Sequence, residues 1–298
     1  MSDLYPIVEV ERESIHESEE MMGSKNKFWY LDPTEEEEYW LFKYPRCNTG
    51  EHWAEKIAAE VAALLEIPHA RVELAVLELN KGSVTKSFAQ EGRELVHGNQ
   101  MLKRAIHGYD PEKEFRQSSH TLANIWQVMD RVFGDSEHAE KAKGRLAEYV
   151  VLDALIGNTD RHHENWGILR REQKGWVDLF VAPSFDHASS LGRELQDTRR
   201  DRILAEDRLG DYVEKGRGAI YWSEADRRGP SPLELVRRAT RSYPDLFRPA
   251  LTKLEKLDEG SVDDLVNRVP SDWMSSSARE FAIALMHYNL EQLQELLR

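Results

Sequence analysis

Three polar side chains in the middle of the chain have the types and spacing that phosphoryl transfer requires. Asp160 and Asn165 lie five residues apart in the run Gly157–Gly167 (GNTDRHHENWG), and Asp186 follows after a further apolar stretch. In transfer from a nucleotide, one carboxylate orients the acceptor hydroxyl, while an amide oxygen and a second carboxylate hold magnesium against the phosphates. We therefore predict that Asp160 is the catalytic base, that Asn165 and Asp186 bind Mg²⁺, and that a nucleotide is the phosphoryl donor.

The predicted secondary structure around these residues would allow them to meet at one site. Asp160 falls on a loop after the predicted helix Lys143–Ile156, and loops allow several polar side chains to converge. Two predicted strands, Trp166–Leu169 and Val177–Val181, then carry the chain out and back to Asp186. A solvated turn at a helix end uses the same residue types. The order of all three residues, with apolar strands between them, favours the site.

The first third of the chain is predicted to form strands and one helix. Aromatic and alternating apolar runs indicate strands that stop at prolines or turn residues. Apolar residues at helical spacing, from Trp53 to Leu65, indicate a helix over Gly50–Leu65. The predicted strands are Ile7–Arg12, Lys27–Leu31, Tyr39–Tyr44, Val72–Leu79 and Ser83–Phe88.

From about Asn99 onward the pattern is mostly helical, with amphipathic segments at Leu122–Phe133 and Ala278–Arg298. The predicted fold class is therefore α+β, a bilobal protein-kinase-like fold. Residues 1–98 would form a small strand-rich N-lobe, and residues 99–298 a larger helical C-lobe that carries the catalytic and metal-binding loops.

Composition excludes several classes of protein. The 298 residues carry a formal net charge of −14, so the overall field would repel nucleic acid, and no direct nucleic-acid partner is expected. Cys47 is the one cysteine, which rules out a disulfide within the chain and favours a reducing compartment. No segment reads as a signal peptide or membrane span. We expect a cytoplasmic protein without a membrane partner.

These motifs resemble those of the HipA-like Ser/Thr kinases, the toxin kinases of bacterial toxin–antitoxin modules. Gly157–His162 together with Asn165 matches that family's catalytic loop, and Ser184–Leu191 matches its metal-binding segment. The catalytic pattern is also similar to that of the phosphatidylinositol kinases. The resemblance covers roughly Tyr5–Leu195 and implies an ATP- and Mg²⁺-dependent Ser/Thr protein kinase with a growth-regulating, toxin-like role.

The resemblance also identifies a candidate lysine. Lys43, in the strand Trp40–Pro45, matches the family's lysine that pairs with the nucleotide phosphates. An edge-strand lysine that faces water is the simpler alternative. A lysine that pairs with nucleotide phosphates usually needs an acid to hold it in position. The helix that follows the strand offers three acids, Glu51, Glu55 and Glu60. Glu55 lies mid-helix near the apolar face, and we predict that it is the partner.

The segment Met22–Lys27 resembles the family's phosphate-covering loop. Gly23 permits close approach of the backbone to phosphate, and Ser24 and Lys27 complete the predicted nucleotide contacts. A plain hairpin turn is the alternative. A serine of this loop is autophosphorylated in the family, which makes Ser24 or Ser18 the candidate acceptor here.

Two residues beside the base are assigned supporting roles. Arg161 is predicted to bind phosphate or brace the catalytic loop, and His162 to be a structural residue of that loop. His162 and His163 are adjacent, so they point in different directions and do not form a chelating pair.

The partner and substrate remain open at this stage. A protein substrate is the leading expectation, and a small-molecule or lipid kinase and a nucleotide-binding pseudokinase are the alternatives. Longer family members carry an additional N-terminal domain, whereas the phosphate loop here arrives by residue 23. We therefore expect a short kinase core, or one half of a split system with an antitoxin-like or split-system partner protein.

Overall fold

A five-stranded sheet with one helix forms the N-terminal part of the protein. The structure is a computed structural model that describes residues 3–15, 27–32, 38–90, 92–134 and 136–298. The strands are β1 (Ile7–Glu9), β2 (Lys27–Asp32), β3 (Glu38–Lys43), β4 (Val72–Leu77) and β5 (Asn80–Lys86), and the helix is α1 (Glu51–Leu64). The strand order in the sheet is β1-β4-β5-β3-β2, with β1 parallel to β4 and the other pairs antiparallel.

Aromatic residues fix the pairing of β2 with β3. Phe28 lies opposite Phe42 and Tyr30 opposite Trp40, and the rings of Phe28 and Phe42 stack with centroids 5.1 Å apart. Because residues opposite each other share one face of the sheet, a one-residue slip of β2 would move Phe28 and Tyr30 away from that face. This pairing fixes the position of Lys43 at the end of β3.

The C-terminal part is helical and is built around one long buried helix. The helices of this part are α2 (Gly98–Ala105), α3 (Leu122–Phe133), α4 (Ser136–Ile156), α5 (Asp197–Ala205), α6 (Leu209–Lys215), α7 (Pro232–Ser242), α8 (Pro244–Thr252), α9 (Glu259–Asn267) and α10 (Ser276–Gln294). The long helix is α4, which packs against α3, α7, α8 and α10. In the described part of the chain, no helix is both long and apolar enough to cross a membrane.

Three further strands form a second sheet. It has the order β6-β7-β8, formed by Arg93–His97, Gly167–Gln173 and Trp176–Val181. The hairpin of β7 and β8 is predicted from the sequence, but β6 is not, because its five residues are half polar and its partner lies far along the chain. β6 precedes residue 98, yet it hydrogen-bonds to β7. The division at residue 98 stays a prediction.

The buried apolar residues form two clusters of unequal size. The smaller cluster covers one face of the five-stranded sheet and includes Phe28, Trp40 and Phe42. The larger contains α1, through residues such as Trp53 and Ile57, together with the C-terminal helices. Helix α1 therefore packs in the same core as the helical part.

Sequence periodicity places most elements correctly. Helix α3 has the predicted bounds, and α1 differs by one residue at each end. Helix α4 begins at Ser136 rather than Lys143, because its first two turns are polar and carry no apolar periodicity. The structure has the predicted α+β class, with a strand-rich sheet and one helix followed by a mostly helical part.

Candidate active site

Lys43, Glu55 and Asp186 meet where β3, α1 and the segment after β8 converge. The Lys43 ammonium lies 3.7 Å from a Glu55 carboxylate oxygen and 3.4 Å from one of Asp186. The Glu55 side chain is 1% exposed, whereas that of Asp186 is 33% exposed. The buried Glu55 carboxylate thus holds the Lys43 ammonium in position. The same ammonium faces the Asp186 carboxylate, which solvent or a ligand can reach.

Electrostatics keep this lysine charged. Burial alone would lower the pKa of Lys43, but the carboxylates of Asp186 and Glu55 outweigh it and raise the pKa above its ordinary value. The backbone N–H of His187 donates to the other Glu55 oxygen at 3.2 Å. Glu55 therefore connects the lysine strand to the segment that carries Asp186.

The catalytic loop is anchored to the end of α4. Gly157 has a φ of 67°, the left-handed conformation that often ends helices. The backbone and side-chain nitrogens of Asn158 both donate to Asp153, each at 2.8 Å. The side-chain oxygen of Asn158 in turn accepts the backbone N–H of Asp160 at 3.0 Å. These bonds fix the backbone of the predicted base.

Asp160 and Asn165 are joined directly. The Asn165 amide nitrogen donates to the Asp160 carbonyl at 2.7 Å, which leaves the amide oxygen to bind a cation. The Ser189 hydroxyl donates to a carboxylate oxygen of Asp160 at 3.2 Å. The structure thus brings the predicted base beside the predicted neutral metal ligand.

The buried side chain of Arg161 connects the segments that form the site. It makes two hydrogen bonds of 2.7 Å to Asp153, and both side chains are 5% exposed. It also donates to the carbonyls of Asn165 at 2.8 Å and Phe185 at 3.2 Å. One guanidinium therefore holds the catalytic loop, the helix before it and the segment before Asp186 together. Of the two predicted roles, this geometry is that of a brace.

The segment around Asp186 has a strained but well-supported backbone. Asp186 has a φ of 55°, a conformation that non-glycine residues adopt rarely and mostly where the surroundings enforce it. The buried ring of His187 contacts the Ser184 hydroxyl at 2.6 Å. Burial, followed by the nearby Arg161, lowers the pKa of His187 well below its usual value, so the ring is neutral. The neutral imidazole of His187 therefore adds no charge beside Asp186.

The remaining predicted residues are placed as follows. His162 accepts the backbone N–H of Glu164 at 3.2 Å and lies 3.5 Å from a Glu114 oxygen, which suits a structural role in the loop. Lys27 pairs with Lys43 across β2 and β3, so the two side chains share one face of the sheet. Gly23 and Ser24 lie outside the described residues.

Sequence reasoning missed three residues that support the site. Asp153 is the partner of Arg161, Ser189 contacts Asp160, and Arg193 donates to the Ser189 hydroxyl at 3.1 Å. Asp153 and Arg161 are a buried opposite-charge pair on a helix and its following loop, but their spacing carries no helical or strand signal. Only the tertiary fold identifies them.

The donor set fits a magnesium ion bound together with a nucleotide. Among the described residues, no three His, Cys, Asp or Glu side chains cluster as a metal site. A carboxylate such as that of Asp186 and an amide oxygen such as that of Asn165 are ligands that Mg²⁺ would accept together with phosphate oxygens and water. These residues would hold the metal, and Lys43 would contact the phosphates.

Comparisons with known proteins identify relatives along most of the chain. A family model described as the HipA-like C-terminal domain matches residues 20–229. The serine/threonine-protein kinase CtkA of Helicobacter pylori is 24% identical over 135 residues, which cover 45% of this chain and 39% of that protein. The matched region thus spans well under half of that curated relative.

Solved structures share the fold at low sequence identity. The crystal structure of the Helicobacter pylori proinflammatory kinase CtkA matches with a TM-score of 0.82 and 19% identity, covering 98% of this chain and 99% of that chain. HipA, in a Shewanella oneidensis MR-1 toxin–antitoxin complex with HipB and operator DNA, matches with a TM-score of 0.59 and 12% identity. That match covers 93% of this chain and 64% of HipA.

Proposed function

Since the chain belongs to the HipA-like C-terminal domain family, we propose that it is an ATP- and Mg²⁺-dependent Ser/Thr protein kinase. The observation that carries the proposal is the placement of Lys43 between buried Glu55 and accessible Asp186. A lysine held by a helix acid and facing a metal-binding carboxylate is the arrangement that positions nucleotide phosphates in protein kinases. The nearby Asp160 and Asn165 supply the other two groups that the reaction needs.

In the proposed reaction the acceptor hydroxyl oxygen attacks the γ-phosphorus of ATP. The bond between that phosphorus and the β–γ bridging oxygen breaks, ADP leaves, and the Asp160 carboxylate accepts the hydroxyl proton. Lys43 orients the phosphates by charge-assisted hydrogen bonds. When bound, Mg²⁺ neutralises charge on the phosphate oxygens. Glu55 and Arg161 act by positioning Lys43 and the catalytic loop.

The wider biological proposal rests on the relatives. A protein substrate is supported by the name of CtkA as a serine/threonine-protein kinase. A toxin-like role with an antitoxin-like partner protein is supported by the HipA complex with HipB. The one cysteine suits the reducing environment of the cytoplasm. Autophosphorylation in the phosphate loop is part of the same proposal.

Incubation with ATP and MgCl₂ tests the function. We expect ADP to form and phosphate to appear on the protein or on added Ser/Thr peptides, measured by intact mass. Asp186→Asn should reduce ADP formation on the order of 10²-fold, because a metal-binding charge is lost. The matched control is Asp178→Asn on β8, where the side chain is half-buried and belongs to the same hairpin region; it should behave like the parent.

Two outcomes would contradict this assignment. Phosphate found only on added metabolites would favour a small-molecule or lipid kinase. A nucleotide-induced rise in melting temperature without any ADP formation would favour a nucleotide-binding pseudokinase.

Lys43→Met should weaken turnover by about 10- to 100-fold, because it removes one charge-assisted hydrogen bond to the phosphates. The measurement is kcat/KM for ATP. Lys86→Met on β5 is the control, since Lys86 also lies in the sheet but pairs with Glu38. Equal values for the two variants would mean that Lys43 does not contact the nucleotide.

A further inference from the structure

A cavity of about 370 Å³ opens beside the catalytic loop. It lies among the end of α4, the loop before α5, and helices α6, α7 and α10. We call it the basic cavity. The lining residues that matter here are Thr159, Ser189, Arg193, Lys215, Arg217 and Asn289.

The basic cavity is lined by two residues that adjoin the predicted catalytic base. Thr159 immediately precedes Asp160, and the Ser189 hydroxyl donates to the Asp160 carboxylate at 3.2 Å. The opposite wall is tied to the same loop, because the backbone N–H of Ala219 donates to the Thr159 carbonyl at 3.1 Å. Arg217 is two residues before Ala219. A group bound against Ser189 therefore lies one side chain away from the Asp160 carboxylate.

The charge of the cavity wall is opposite to that of the protein as a whole. Three cations, Arg193, Lys215 and Arg217, line it with one carboxylate, Glu194, whereas the chain carries a net charge of −14. An anionic group would therefore find a local attraction here that most of the surface lacks.

These cations differ in how far their charge is already compensated. Arg193 pairs with Glu51 at 2.9 Å. Lys215 has a distant partner, Asp211 at 3.7 Å, and both side chains are largely exposed. Arg217 donates to two backbone carbonyls, those of Glu214 and Gly216, and within the described chain no carboxylate lies within ion-pair distance of it. Arg217 and Lys215 thus supply the charge available to a ligand.

The wall also offers an unused hydrogen-bond acceptor. Asn289 is fully buried, and its amide nitrogen donates to the Leu155 carbonyl at 3.0 Å. Its amide oxygen has no hydrogen-bond partner among the residues that the structure describes. A buried acceptor of this kind is normally paired, and a peptide N–H or a hydroxyl would satisfy it.

We propose that the basic cavity binds the acceptor segment of the protein substrate and selects acidic side chains beside the phosphorylated Ser or Thr. Arg217 and Lys215 attract Asp or Glu of that segment, while its hydroxyl reaches Asp160. This inference rests on the proposed kinase function and adds the substrate class to it.

The test is a library of Ser/Thr peptides whose flanking positions are either Asp/Glu or Lys/Arg. The parent protein should favour the acidic flanks on the order of tenfold in kcat/KM, since opposite charges attract and like charges repel at such a surface. The double variant K215E/R217E should lose or reverse that preference.

Lys141→Glu is a closely matched control. Lys141 and Lys215 are each 69% exposed, and each pairs with an acid one helical turn earlier, but Lys141 lies on α4 and does not line the cavity. It should keep the acidic preference. A parent that is indifferent to flanking charge, or a double variant with unchanged preference, overturns the inference alone. A parent that forms no ADP overturns the proposed function and this inference with it.

Discussion

Asp160→Asn is expected to lower the rate of phosphoryl transfer on the order of 10³-fold, because the amide cannot accept the proton of the acceptor hydroxyl. The substitution keeps the size of the side chain, and the new amide oxygen can still accept the Ser189 hydroxyl. The loop should therefore keep its structure, and the loss should appear in kcat with little change in the affinity for ATP. Single-turnover kinetics with saturating ATP measures this step.

The control for this variant is Asp201→Asn on the exposed surface of α5. It removes the same charge from the protein without touching the catalytic loop, and it should retain full activity. If Asp160→Asn retained more than about a tenth of the parental rate, general-base catalysis by this residue would be ruled out.

Arg161→Met is expected to cost about 3–5 kcal/mol in the free energy of unfolding. The reason is that Asp153 would remain charged and buried after losing two hydrogen bonds of 2.7 Å. The carbonyls of Asn165 and Phe185 would also lose their donor. Urea unfolding monitored by tryptophan fluorescence measures the change.

A double variant separates the buried charge from the lost packing. In R161M/D153N the unpaired carboxylate is gone, and the new amide oxygen can still accept from Asn158, so part of the lost stability should return. Arg170→Met, on the exposed side of β7, should change stability by less than about 0.5 kcal/mol. A loss in Arg161→Met as small as that of Arg170→Met would contradict a bracing role for Arg161.

Much of the fold was predictable because its signals are local. Aromatic runs at Lys27–Leu31 and Tyr39–Tyr44 and the helical spacing after Gly50 report secondary structure directly. The order of Asp160, Asn165 and Asp186 carried the site hypothesis for the same reason. The structure joins Asp160 to Asn165 and places Asp186 beside the Lys43 ammonium. Their catalytic roles stay predictions.

The rest depends on contacts between distant segments. Strand β6 is stabilised by β7, which lies some seventy residues later. The choice of Glu55 over its neighbours is a tertiary fact as well: Glu51 pairs with Arg46 and Arg193, whereas Glu55 faces Lys43. The place of Glu55 near the apolar face of the helix favoured it in the sequence, but burial does not separate the two acids, since both are buried.

The shared core of α1 and the C-terminal helices has a consequence for how the protein can be divided. A fragment that ended after residue 98 would contain α1 but not the C-terminal helices that pack against it. Apolar side chains of α1, such as those of Trp53 and Ile57, would then lose these neighbours. The fragment would also leave β6 without β7. Residues 1–98 and 99–298 therefore share one hydrophobic core, and we expect neither to fold independently.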